Sequence, residues 1–207
     1  MLTQPTKVII SFVLSIISVI LYFLFKQKER KICMFAMFSC TIGDVFMTDI
    51  LHIGSSSTYF GAAFFIIGHI IYTLCFIKAS KNKHYAFLNK GFYLGLFLML
   101  FMIVSLTILM LTVTKSIQTM YIPLLGYIVF IGFNTVSQFS YAYNEPLVRK
   151  TLIVAMTLFV ISDFLVFLPM LNICKESITY NDYIWFTYIP AQLLILLFNS
   201  DFKQDNI

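Results

Sequence analysis

A chain of 207 residues that is 60% hydrophobic and 11% charged is not a water-soluble domain, since soluble domains are about 25% charged and one this small has too little interior to hide so much apolar surface. Lipid must be its solvent, which excludes a soluble enzyme. The formal charge of +5 sits at helix ends, where basic residues meet anionic headgroups and set topology, so no nucleic-acid partner is expected.

Crossing the hydrocarbon takes roughly 20 largely apolar residues, and seven segments qualify, separated by short polar breaks. The first, 8–25, follows Lys7 and resembles a signal peptide in position. A basic cluster at 26–31 follows it with no small-x-small cleavage site, which is the pattern of a retained helix. Its Ser11, Ser15, Ser18 and Tyr22 share one face, read as a packing face and not as a site. The second segment, 32–51, carries Asp44 about seven residues before its end, and Asp49 near the membrane surface.

The third segment, 59–77, begins with Tyr59, which with Asp49 would line an entrance. Deeper in it lie His69 and, three residues on and on the same face, Tyr72. The fourth, 92–112, contributes no candidate. The fifth, 120–141, holds Asn134 and the sixth, 151–171, holds Asp163, again about seven residues before its end. The seventh, 183–198, carries Tyr188 and Gln192 one turn apart on one face. Pro123 and Pro190 are read as lying near helix ends, and the many Phe and Met residues as lipid-facing bulk.

These elements describe an all-α, polytopic helix bundle forming a single membrane domain over 1–207. Eleven of the fourteen Lys and Arg residues fall on one side of it, in the 26–31, 78–90 and 143–150 loops and the tail. Lys7, Lys115 and Lys175 fall on the other. The positive-inside rule then puts the N-terminus outside and the C-terminus in the cytoplasm.

Aspartates within hydrocarbon are costly and face protein or water, so each is a functional candidate by default. At 1.5 Å per residue, Asp44 and Asp163 are both expected roughly 10 Å below the outer surface. Two buried carboxylates need not share one protonation state, so the pair can supply an acid and a base from one residue type. That suits hydrolysis, and it suits equally a proton relay in a transporter. Gly43 before Asp44 and Ser162 before Asp163 also fit a structural helix contact. Cys33, Cys40, Cys75 and Cys174 have no metal spacing and suggest no disulfide framework. No metal and no cofactor is expected.

The run Phe38-Ser39-Cys40-Thr41-Ile42-Gly43-Asp44-Val45-Phe46, the stretch from Gly61 through Gly68-His69-Ile70-Ile71-Tyr72, Leu158-Phe159-Val160-Ile161-Ser162-Asp163 and Tyr188-Ile189-Pro190-Ala191-Gln192 together resemble the YhhN-like lysoplasmalogenase family, over residues 4 to about 197. No one motif is specific. Their order and spacing on separate apolar helices are. The resemblance implies a multi-pass enzyme that hydrolyses the vinyl ether of lysoplasmalogens to a fatty aldehyde and glycerophosphoethanolamine or glycerophosphocholine. It matches Asp44 and Asp163 to the family's intramembrane aspartates, His69 and Tyr72 to its His-x-x-Tyr element, and Ala191 and Gln192 to its Ala-Gln element. It implies a lysophospholipid substrate, and a bacterial cytoplasmic membrane or a eukaryotic endomembrane as the location. Family members usually have eight helices, and Gln4-Pro5-Thr6 resembles the start of the second.

Overall fold

Every described secondary-structure element is an α-helix, and there are seven. The computed structural model describes residues 3–54, 56–112, 121–146, 148–170 and 178–198. The helices are α1 (Gln4–Phe25), α2 (Lys28–Met47), α3 (Ser56–Asn82), α4 (Lys90–Thr112), α5 (Tyr121–Asn144), α6 (Arg149–Met170) and α7 (Ile178–Phe198). Lys115, Cys174 and Lys175 lie outside the described residues.

Local chemistry sets several helix ends. Thr3 caps α1 by accepting from the Thr6 N–H at 3.3 Å, with Pro5 in the first turn, where its missing N–H costs nothing. Asn89 caps α4 by accepting from the Phe92 N–H at 3.0 Å, and its amide also donates to the Ser140 carbonyl on α5 at 2.9 Å.

Helix α2 ends at Met47, four residues short of the apolar segment. Thr48 closes it, its hydroxyl donating to the Asp44 carbonyl at 2.9 Å. Asp49 then turns the chain with a left-handed φ of 49°, its carboxylate accepting from the Ile53 and Gly54 N–H groups at 3.0 and 3.2 Å. A side-chain acceptor for backbone N–H groups of this kind competes with the helix and replaces it. The turn exposes Ile50, Leu51 and Ile53, so hydropathy alone reads it as more helix.

Six helices form a closed ring in the order α1, α2, α3, α5, α6, α7 and back to α1; α4 stands outside it and packs on α5. The closing contact, between α1 and α7, is the lightest in the ring. Close approach elsewhere depends on small residues, as expected where lipid supplies no net driving force for helix association. A Cβ on Gly68 would lie 2.7 Å from the Cys40 sulfur, and one on Gly43 3.2 Å from the Gly61 carbonyl, which keeps α2 and α3 tight. On the other side, a Cβ on Gly91 would lie 2.1 Å from the Phe139 carbonyl and one on Gly95 2.7 Å from the Val136 Cα, so α4 meets α5 backbone to backbone.

Five helices, α1, α3, α4, α5 and α6, are long and apolar enough to cross a membrane by length and composition. The chain is a multi-pass membrane protein. Helices α2 and α7 fall below that criterion among the described residues. The reading of Phe and Met as lipid-facing bulk needs correction: Met37, Met156, Phe76 and Phe159 are fully buried, while Phe97, Phe101 and Phe23 do lie outside.

Candidate functional site

Two polar networks occupy the interior of the ring, one around each aspartate. Asp44 (2% exposed) projects from the last turn of α2 and is held from the helices on both sides of the closing contact. Ser11 on α1 donates to its Oδ2 at 2.6 Å, and Tyr188 on α7 donates to the same oxygen at 3.0 Å. The network runs on through α7 and α3. Gln192 donates from Nε2 to the Tyr188 hydroxyl at 3.2 Å, and Tyr72 donates to Gln192 Oε1 at 2.7 Å.

Asp163 (5% exposed), on α6, belongs to the second network. Its Oδ1 accepts from the Tyr127 hydroxyl on α5 at 3.4 Å. Its Oδ2 faces Nε2 of His69 on α3 at 3.4 Å, and neither of those two atoms makes a hydrogen bond. The other ring nitrogen, Nδ1, lies 3.0 Å from Nδ2 of Asn134, whose Oδ1 accepts from Gln138 at 3.2 Å. An amide donor at Nδ1 makes that nitrogen the acceptor, so a neutral imidazole carries its proton on Nε2, toward Asp163.

The networks meet at an aromatic wall. The Phe159 ring packs 4.9 Å from His69 and 5.7 Å from Tyr188, centroid to centroid, and Phe65 meets Tyr188 edge-on at 5.9 Å. The aspartates are therefore held separately, on partners that flank Phe159. Asp163 is seven residues from the end of α6 but Asp44 only three from the end of α2, because the Asp49 turn cuts α2 short.

The other expected residues are placed as follows. His69, Tyr72, Asn134, Tyr188 and Gln192 are all buried in the two networks. Asn134 contacts His69 and Gln138 and neither aspartate directly. Asp49 is spent on its own turn, and Tyr59 is exposed at the start of α3. Pro190 is inside α7 and not near its end, between Tyr188 and Gln192. Lacking an N–H, it leaves the Phe186 carbonyl without its helical partner.

Sequence reasoning missed three residues. Ser11 was read as part of a packing face, yet it bonds Asp44 directly. The rest of that face does pack: Ser15 bonds the Thr41 hydroxyl at 2.7 Å. Tyr127 escaped notice although Tyr127, Asn134 and Gln138 recur at i, i+7 and i+11, one face of a helix. Lys7, counted only as a topology signal, is buried and pairs with Asp182 on α7 at 3.3 Å.

The YhhN family model matches residues 4–198, all seven helices and both networks. The chain belongs to the YhhN family. Neither a curated protein nor a solved structure matches it. No group of three His, Cys, Asp or Glu side chains that could hold a metal ion occurs among the described residues of this YhhN protein. Chemistry assembled from its own side chains would be acid–base chemistry, with hydroxyl, imidazole and carboxylate groups in an apolar surround.

Proposed function

We propose that this YhhN protein is a lysoplasmalogenase, a membrane-embedded hydrolase of the vinyl-ether bond of lysoplasmalogens. One observation carries the reading: two buried carboxylates inside one ring of membrane helices, held by different donors, with the free oxygen of Asp163 facing His69 Nε2. Membership of the YhhN family, which is linked to this activity, supports it.

Vinyl-ether hydrolysis begins with proton transfer to the alkene carbon β to the ether oxygen, which leaves an oxocarbenium ion at the carbon bearing oxygen. Asp163 delivers that proton as general acid, with His69 beside it to return one afterwards. Asp44, fixed as an acceptor by two hydroxyl donors, faces the developing positive charge and orients the water that adds. The hemiacetal then collapses to aldehyde and alcohol, and no net proton is consumed. Phe159, between the two networks, gives the alkene an apolar wall. The substrate suits the setting, because a lysolipid keeps its reactive bond just below its headgroup while its tail lies among helices.

Aldehyde release from an alkenyl lysolipid by purified protein is the test, with the ester-linked analogue as control. Asp44→Asn and Asp163→Asn are each expected to lower the rate by about a hundredfold or more, the usual scale of general acid–base assistance. Full activity in both variants rejects the two-carboxylate mechanism. Fatty acid from the ester without aldehyde from the vinyl ether rejects the substrate assignment. A proton-coupled transporter using the same polar layer would move substrate across vesicles without cleaving it.

A further inference from the structure

The closing contact of the ring carries more than the Asp44 donors. Helices α1 and α7 begin at the same end of the bundle. Near that end Lys7 pairs with Asp182 at 3.3 Å, both side chains nearly inaccessible. Deeper along the contact, four residues on in α1 and six in α7, Ser11 and Tyr188 converge on Asp44. A buried ion pair is a weak source of stability, since desolvation offsets the attraction. Its position above a candidate site gives it another use.

We propose that Lys7 and Asp182 form a two-point headgroup site for a zwitterionic phospholipid, Lys7 taking the phosphodiester and Asp182 the cationic amine. The inference rests on the lipid-hydrolase reading and specifies which lipid the site accepts. Lys7 precedes Ser11 by four residues, on the same face and roughly 6 Å along the axis. In a lysophospholipid the ether oxygen and the phosphorus are separated by about five single bonds, roughly the same distance. A vinyl ether beside Asp44 therefore puts the phosphate level with Lys7. A zwitterion entering the pair exchanges one plus–minus contact for two, so neither protein charge is left unpaired in a poorly solvated place. A neutral glycerol headgroup offers no such exchange. Because α1 and α7 touch so lightly, separating the pair also opens the lightest contact in the ring to lipid.

Binding of radiolabelled 1-alkyl lysolipids, whose saturated ether is not a substrate, tests this without relying on catalysis. The full chain in nanodiscs is titrated with the phosphoethanolamine lysolipid, the phosphate monoester and the neutral alkylglycerol. Lys7→Gln is expected to weaken both phosphate-bearing ligands about tenfold, the lower end for a lost hydrogen bond to a charged group, and to leave alkylglycerol unchanged. Asp182→Asn is expected to weaken the zwitterion but to hold or strengthen the monoester. Soluble glycerophosphoethanolamine at equal concentration should not displace the lipid; displacement would reassign the site to a soluble phosphate ester. If both variants weaken all three ligands alike, or if neither changes any, the proposal is overturned. Wild-type binding with this ranking but no aldehyde from an alkenyl lysolipid would leave the headgroup site standing and reject the hydrolase.

Discussion

Tyr188 donates its phenolic proton to Oδ2 of Asp44 at 3.0 Å, the same oxygen that Ser11 reaches at 2.6 Å. A carboxylate oxygen with two hydroxyl donors from two helices is fixed in orientation, which is what a group that stabilises charge in a transition state requires.

Removing either donor should therefore act on the rate. Hydrogen bonds to charged groups contribute about 1.5–3 kcal/mol, so Ser11→Ala and Tyr188→Phe are each expected to lower kcat/KM for aldehyde release by about tenfold or more. Tyr188→Phe keeps the ring packed against Phe65, Phe159 and Trp185, so its thermal unfolding should change little. Because both donors meet one atom, the double variant should fall short of the product of the single effects. Strict multiplicativity would mean that the two bonds act independently.

Asn134 touches no carboxylate and holds His69. Asn134→Leu is expected to reduce kcat about tenfold through loss of the fixed ring orientation, while KM shifts by less than about twofold. A rise in KM alone would make Asn134 a substrate contact, and no change in either would make it packing.

The α4–α5 contact predicts a stability effect separable from chemistry. Gly95→Val brings a Cβ to 2.7 Å from the Val136 Cα, and overpacking of this kind costs about 1–3 kcal/mol. The thermal midpoint in detergent should fall by several degrees, whereas Gly126→Ala, with nothing within 4 Å of its Cβ, should not move it. Since α4 lies outside the ring, kcat of Gly95→Val well below its midpoint should be unchanged.

At the far end from Lys7, Glu145 accepts from Lys83 at 2.6 Å and from Tyr85 at 2.8 Å, tying the segment after α3 to the end of α5. Glu145→Gln is expected to cost about 1 kcal/mol, read as a lower thermal midpoint with unchanged kcat. The side chain of Lys83 is 37% exposed and regains water, which keeps the loss small.

Both aspartates, His69 and Gln192 were legible in the sequence because a polar group in an apolar run is conspicuous. Ser11 was not. A serine in a membrane helix is ordinary packing material, and only the partner from α2 shows what its hydroxyl does. The end of α2 was misplaced because hydropathy continues through Ile50, Leu51 and Ile53 while the backbone is already turned by Asp49. The Lys7–Asp182 pair joins two distant segments that no local pattern connects. Seven helices followed from segment lengths, but the ring order, and with it the separation of the two networks by Phe159, depends on which faces meet.

The closing of the ring by α1 and α7 also sets a schedule for the nascent protein. Asp44 leaves the ribosome 144 residues ahead of Tyr188, an interval of roughly 7 to 30 s at common synthesis rates. Throughout it the carboxylate has Ser11 from the preceding helix and lacks the tyrosine. The hydrogen-bond network around Asp44 is therefore complete only when the last helix docks.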